Sequence, residues 1–330
     1  MSELDHNESQ KFPCVIPTII DDYNRTKGYY KTFFKYLPIN EIVLIGPKNV
    51  GEIASSDISS GLFDDNKVSY IDENELVPII AVKAIYDDLK KNATQSNPSS
   101  VHWYYQQYLK MAYSQICQTD YYLCWDSDTI PLKKIEMFSD DGKPFLDTKP
   151  DGNYSYFLTI ERLFGFNKII EKSFISEHML FSKKYMLDMI VDIENTHFTG
   201  DVFYEKITSC LGNDNLAIGF SEFETYGTWI GMKYPAEYKL RNWKSFRNLS
   251  FFVNINDFNQ EDIDWLSKDY HAVTFEKYQE TEPSLTELFR NKRYREKLSS
   301  EQFFLSVLES GALGEYSNGT IKYNGLIAPI

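Results

Sequence analysis

Short apolar runs divide this chain, and each is bounded by residues that favour turns. Phe12-Pro-Cys-Val-Ile-Pro17 is the first, stopped by Pro17-Thr18. Residues 41–46 (EIVLIG) form a second, closed by Gly46-Pro47, and residues 67–72 (KVSYID) a third. Tyr121-Tyr-Leu-Cys-Trp125 is a fourth and runs straight into Asp126-Ser-Asp128. Runs of this length between turn residues predict buried strands. Residues 154–160 also read as a strand. Helical spacing fills the intervals. Tyr29, Tyr30, Phe33, Phe34 and Leu37 share one side of a segment, and Tyr105, Leu109, Ala112 and Ile116 share one face of a helix over 101–118. Residues 183–194 predict another helix, with Met186, Met189, Ile190 and Ile193 inward. Two more are expected at 284–297 and 300–310. Ser299 with Gln302 three residues on is a capping-box pattern for the latter.

Strands alternating with helices predict an α/β fold with a mixed, mainly parallel sheet covered on both faces. Such sheets bind ligands at the carboxyl ends of their strands. Residues 1–11 are polar and acidic and read as disordered. Residues 12–280 read as one catalytic-type domain and 281–330 as a helical C-terminal extension. The loop at 92–100 is the best candidate for a lid or linker, and Asn318-Gly319 and Asn324-Gly325 are turn signals.

Composition narrows the class. The 330 residues carry 48 acidic and 34 basic side chains, a formal charge of −14, which disfavours a surface that grips nucleic acid. With 42% hydrophobic residues a folded chain is expected, not a disordered one. No apolar stretch reaches membrane-spanning length, and the first residues lack the pattern of a secretory signal. Cys14, Cys117, Cys124 and Cys210 are widely spaced and read as buried free thiols. The expectation is a soluble cytoplasmic protein.

The chemistry concentrates at residues 121–132, YYLCWDSDTIPL. A buried strand delivers Asp126 and Asp128 at its end. In an extended chain residues i and i+2 point to the same side. Two hard-oxygen donors there suit Mn²⁺ or Mg²⁺, which completes its shell with water and substrate phosphates. The alternative is a turn whose aspartates cap the next segment. Further on, Phe220-Ser-Glu-Phe-Glu offers Glu222 and Glu224, on one side if extended, with Gly219 and Gly227 around them. Lys239, Arg241, Lys244 and Arg247 cluster in an otherwise acidic chain; they suit a diphosphate, or else pair with local acids. Gly46-Pro-Lys-Asn-Val-Gly51 lacks the Gly-Lys-Ser/Thr ending of a Walker loop, so an NTPase is not expected.

Together these segments resemble the GT-A fold glycosyltransferases that carry a DxD motif. The resemblance rests on Val15-Ile-Pro-Thr18 with Asp21-Asp22 behind it, on Trp103-Tyr-Tyr-Gln-Gln-Tyr-Leu-Lys110, and on Asp126-Ser-Asp128. Glu177-His-Met-Leu-Phe181 and Phe220-Ser-Glu-Phe-Glu-Thr-Tyr-Gly227 complete it. It spans roughly residues 12–275 and is similar to an uncharacterised family of bacterial glycosyltransferase-like proteins found among surface-polysaccharide genes. It implies a nucleoside-diphosphate sugar as donor and a glycan or lipid-linked acceptor, met peripherally at a membrane in the lipid case. It places Pro17, Thr18 and Asp21 or Asp22 near base or ribose, with Asp72 accepting from the base. Gln106 and Lys110 would reach ribose or phosphate. Glu222, or Glu224 second, would take the acceptor proton in an inverting transfer. Asp126 and Asp128 would hold the metal, with His271 as a possible third ligand, although an Asp-x-His pattern is absent. Asp21, Asp22 and Gln106 also have plain readings, as helix caps and a surface amide, and His178 as a structural histidine. Two rivals stand beside this one: a sugar-nucleotide nucleotidyltransferase, whose glycine- and arginine-rich first loop is missing here, and a non-catalytic glycan-binding protein.

Overall fold

The computed structural model describes residues 10–94, 98–150 and 152–312. The expected disorder of residues 1–9, the tip of the 92–100 loop and both Asn-Gly turns lie outside them. Ten strands occur among the described residues: β1 Phe12–Pro17, β2 Ile39–Gly46, β3 Val68–Asp72, β4 Tyr121–Trp125, β5 Thr129–Pro131, β6 Phe145–Thr148, β7 His178–Ser182, β8 Lys239–Asn242, β9 Ser245–Phe246 and β10 Ala272–Thr274. The chain forms two compact units. The first comprises described residues up to 20, 38–127 and 136–243; the second comprises 21–37, 128–135 and 244–312.

The first unit is built on a five-stranded sheet of order β3-β2-β1-β4-β7. β1 pairs in parallel with β2 and β4, β2 in parallel with β3, and β7 runs antiparallel to β4. The α/β fold with a mostly parallel, helix-flanked sheet is therefore as the sequence predicts. β1 and residues 42–46 of β2 read as unbroken apolar runs because they are buried throughout. Gly46 is required at the end of β2, because a Cβ there would lie 2.3 Å from the Thr18 carbonyl oxygen. β2 and β3 lie on one side of β1 and β4 on the other, so strand order reverses between β1 and β4. A crevice at the carboxyl ends beside such a reversal is the general ligand position of open α/β sheets.

Helices Val101–Ala112, Lys183–Glu194 and Glu222–Lys233 contribute buried side chains to this unit's core. The first ends earlier than the periodicity suggests and continues as a single 3-10 turn, which leaves Ile116 42% exposed. Residues 154–160 are not a strand. They open the helix Tyr154–Phe164, capped by the Asn153 side chain and ended by Gly165 in the left-handed region. All four cysteines are buried and free.

The second unit holds a small sheet, β5-β10-β9, and its own aromatic core. The helices after Glu282, namely Pro283–Arg290, Lys292–Lys297 and Ser300–Glu309, supply Phe289, Phe303 and Phe304 to that core, where Phe246 and Phe304 stack at 3.6 Å. They share a compact unit with residues 244–275, so the division does not fall at residue 281 as expected. The 284–297 helix is two helices, parted at Asn291, whose side chain caps the second. The capping box at Ser299 and Gln302 forms in both directions.

Candidate active site

The carboxyl edge of the first unit's sheet gathers chemistry from four strand ends. β1 ends in Pro17-Thr18, where the Thr18 N–H donates to the Ile45 carbonyl at 2.8 Å. β3 ends in Asp72, which caps the short helix Glu73–Leu76 by accepting from the Asn74 N–H. β4 ends at Trp125, placing Asp126 just beyond it. The antiparallel β7 begins at this edge, opposite Trp125, with His178.

Asp126 is held at both backbone and side chain. Its N–H donates to the Glu177 carbonyl at 2.9 Å. Its Oδ1 accepts from Lys110 Nζ at 2.7 Å, while the side chain stays 37% exposed. Lys110 is itself buried, and the same ammonium donates to Glu222 Oε1 at 2.6 Å. It also lies over the Phe223 ring at 4.3 Å. Burial alone would depress this ammonium, but Asp126 and Glu222 outweigh that and hold it above its ordinary range. Burial pushes the Glu222 carboxyl up, with Lys110 opposing. The Glu222 N–H donates to Gln107 Oε1 at 3.1 Å.

This corrects two expectations. Glu222 and Glu224 are not extended; they open the helix Glu222–Lys233, with Ser221 as its cap. Two residues apart on a helix, they diverge by about 200°. Glu222 is buried against Lys110 and holds that lysine, so it is not placed to remove an acceptor proton. Glu224 is fully buried, its Oε2 accepting from Ser173 Oγ at 2.5 Å and the Phe174 N–H at 3.3 Å. Burial raises its carboxyl too. The glycines nearby serve packing: a Cβ on Gly227 would meet the Phe174 ring at 2.3 Å, and one on Gly219 the Asn215 carbonyl at 2.0 Å. Gln106 is exposed, and its neighbour Gln107 is the buried amide of the pair.

A second buried network flanks Asp126. Glu177 has φ 61°, in the left-handed region that a non-glycine residue enters at a cost. Its carboxylate accepts from Lys149 Nζ and, at 3.0 Å, from Trp243 Nε1. His178 lies against Trp243 and Trp125, with Nε2 2.9 Å from Asp147 and Nδ1 2.9 Å from the Ser176 carbonyl. Asp147 also takes a two-pronged bond from Arg241, at 2.6 and 2.7 Å. Burial would raise Asp147, yet Arg241 and His178 bring it down to about 2. Arg241 is thus committed inside the unit, not displayed for a diphosphate.

The remaining predicted residues also have local partners. Lys239, in the first unit, pairs with Asp141 at 3.4 Å. In the second unit Lys244 pairs with Glu301 at 2.9 Å and Arg247 with Glu276 at 2.7 Å. Asp21 pairs with Lys277 at 2.8 Å, and Asp22 with Arg25 at 3.2 Å. The basic cluster therefore follows the alternative of pairing with nearby acids. Asp128 belongs to the second unit; its carbonyl accepts from the Phe275 N–H, and Thr129 Oγ1 donates to its carboxylate. In the register of β5 against β10, His271 stands opposite Leu132, not Asp128. Four strand positions, about 13 Å, separate it from Phe275, the partner of Asp128. His271 is therefore not a third ligand to a metal at Asp128. Among the described residues no three His, Cys, Asp or Glu side chains gather as a metal cluster.

Residues 10–282 match a family described as a family of unknown function, DUF6492. The chain belongs to the DUF6492 family. No curated protein matches it. Among solved structures it is similar to mouse xyloside xylosyltransferase 1 at 11% identity and TM-score 0.44, over 82% of this chain and 99% of that one. It is similar to the bifunctional glycosyltransferase WbbM at 11% identity and TM-score 0.41, over 85% of this chain and 48% of that one. Likeness to the glycosyltransferase GlyE of Streptococcus pneumoniae stands at 13% identity and TM-score 0.39, covering 91% and 64%.

What this DUF6492 chain presents just beyond β4 is the partly exposed carboxylate of Asp126, held by Lys110 and the Glu177 carbonyl. Sequence reading missed Gln107, Lys149, Asp147 and the acid of Glu177. Glu177-His178 lay in a quoted segment, but only the histidine drew notice there. Gln107 also lay in a quoted segment, where its neighbour Gln106 was chosen; nothing in the sequence marks Lys149 or Asp147, because their partners are 28 and 94 residues away.

Proposed function

We propose that the protein is a metal-dependent glycosyltransferase moving a sugar from a nucleoside-diphosphate sugar to a glycan or lipid-linked acceptor, in surface-polysaccharide synthesis on the cytoplasmic side. The observation that carries this reading is Asp126. It lies beyond the end of β4, beside the reversal of strand order, accessible and fixed by a buried lysine.

A divalent ion fits these donors. Magnesium takes one or two protein carboxylates and leaves its other positions to water and phosphate, so a three-ligand cluster is not required. Asp126, with Oδ1 bonded to Lys110 and its side chain over a third exposed, would hold it; Asp128 is the second donor that the Asp-x-Asp spacing offers. When bound, the ion supplies charge to offset the diphosphate as it leaves. The chain's own part is positional. Lys110 and the Glu177 carbonyl set the direction of Asp126, and Pro17, Thr18 and Asp72 occupy the strand ends where base and ribose would lie. Glu222 acts through Lys110 and not as the base.

The test is a panel of nucleotide sugars with Mn²⁺, read by thermal stabilisation and by nucleoside-diphosphate release. One donor should stabilise and turn over, and Asp126→Asn should abolish both. Stabilisation without turnover against any glycan would favour the glycan-binding rival. No response to any donor would reject the reading.

A further inference from the structure

Lys110 does more than orient an aspartate. Its buried ammonium lies 2.7 Å from Asp126 Oδ1, while the Asp126 side chain stays 37% exposed. Glu222 at 2.6 Å and the Phe223 ring keep it there, and its own side chain is only 4% exposed. Asp126 thus already has a counter-ion that cannot diffuse away. A free divalent cation approaching the same carboxylate meets a fixed positive charge within a few ångströms, in a partly desolvated setting that weakens the repulsion little. A cation already carried by a diphosphate meets the same ammonium differently, because the phosphate oxygens bring negative charge that Lys110 attracts.

From this geometry we infer that Lys110 is a gate on metal binding: it excludes free divalent cations from Asp126 and admits the ion only together with a nucleoside diphosphate. The inference rests on the functional reading above and adds an order of binding to it. Glu222 is the positioning residue that keeps the gate charge in place. Lys110 with Asp126 and Glu222 sums to one negative charge; without the ammonium the sum is two.

The experiment measures Mn²⁺ binding directly, by the loss of the free-ion electron paramagnetic resonance signal, on the full chain without donor. Wild type should bind Mn²⁺ at least about tenfold more weakly alone than with UDP or GDP present. Lys110→Met should raise affinity for Mn²⁺ alone by about tenfold or more, and Lys110→Arg should restore the wild-type value. Asp126→Asn in the Met background should remove the gain. Equal Mn²⁺ affinity of wild type with and without a nucleotide that binds, after subtracting the Mn²⁺ that the nucleotide takes up without protein, would overturn the gate, and that measurement needs no variant to fold. Unchanged Mn²⁺ affinity in a folded Lys110→Met protein would also overturn it. If neither UDP nor GDP binds with Mn²⁺, the glycosyltransferase reading fails. A gain of Mn²⁺ affinity in Lys110→Met would still support exclusion by Lys110.

Discussion

Asp147 and Lys110 are the residues on which the first unit's buried charge turns. Asp147 sits between Arg241 and His178, and its carboxyl is held at about 2, below its ordinary value near 3.8. A depressed acid adds stability that is present above the ordinary value and lost as pH falls through the folded one. Over that interval the loss is about 2 kcal/mol. Urea unfolding between pH 5 and pH 2 should show this acid limb, and Asp147→Asn should flatten it while lowering stability at pH 7 by about 3 kcal/mol, since the Arg241 guanidinium loses its acid. Glu222 and Glu224 work with the opposite sign. Their carboxyls are raised, so their contribution is whole below the ordinary carboxyl range and is lost as pH rises through the folded values. Lys110→Ala leaves Glu222 buried without its cation and should cost about 3 kcal/mol or more by the same measurement. A cost under 1 kcal/mol would mean that water reaches this group freely.

At the scale of elements, strands and caps decide what was readable. β1 and β4 were legible to the residue because strands buried almost throughout are unbroken apolar runs between turn residues. Residues 154–160 misled because Tyr154, Tyr156 and Ile160 fit an alternating pattern, while Tyr156, Phe157, Ile160 and Leu163 fit a helix; the Asn153 cap settles it. The same kind of signal preceded Glu222: Ser221 with Glu224 three residues on is a helix start, and Ser221 does accept from the Glu224 N–H at 3.3 Å. Two predictions belong here. Gly227→Ala drives a methyl into the Phe174 ring and should cost about 1–3 kcal/mol, whereas Gly28→Ala, with open space around it, should stay within about 0.5 kcal/mol. Ser299→Ala removes a two-way capping box and should cost about 1 kcal/mol. Chemical denaturation of the three variants checks both.

For the whole molecule, the site was legible only as far as local sequence reaches. Asp126 was found because a strand and its end are neighbours in the chain. The Lys110–Glu222 pair joins residues 112 apart and rests on how the helices Val101–Ala112 and Glu222–Lys233 pack, which spacing does not encode. The expected cationic cluster at 239–247 dissolved for the reverse reason: charges close in sequence found acids closer in space. The formal charge of −14 now has a sharper meaning, because the buried ammonium of Lys110 is the cation set beside the proposed metal carboxylate. No described helix is long and apolar enough to cross a membrane. The most direct test of the central claim is calorimetric titration of the full chain with UDP and GDP, with and without Mn²⁺, repeated on Asp126→Asn. The account predicts that one nucleotide binds only when Mn²⁺ is present and that Asp126→Asn abolishes this binding. Binding that ignores both the metal and Asp126, or no binding of either nucleotide with Mn²⁺, would contradict it.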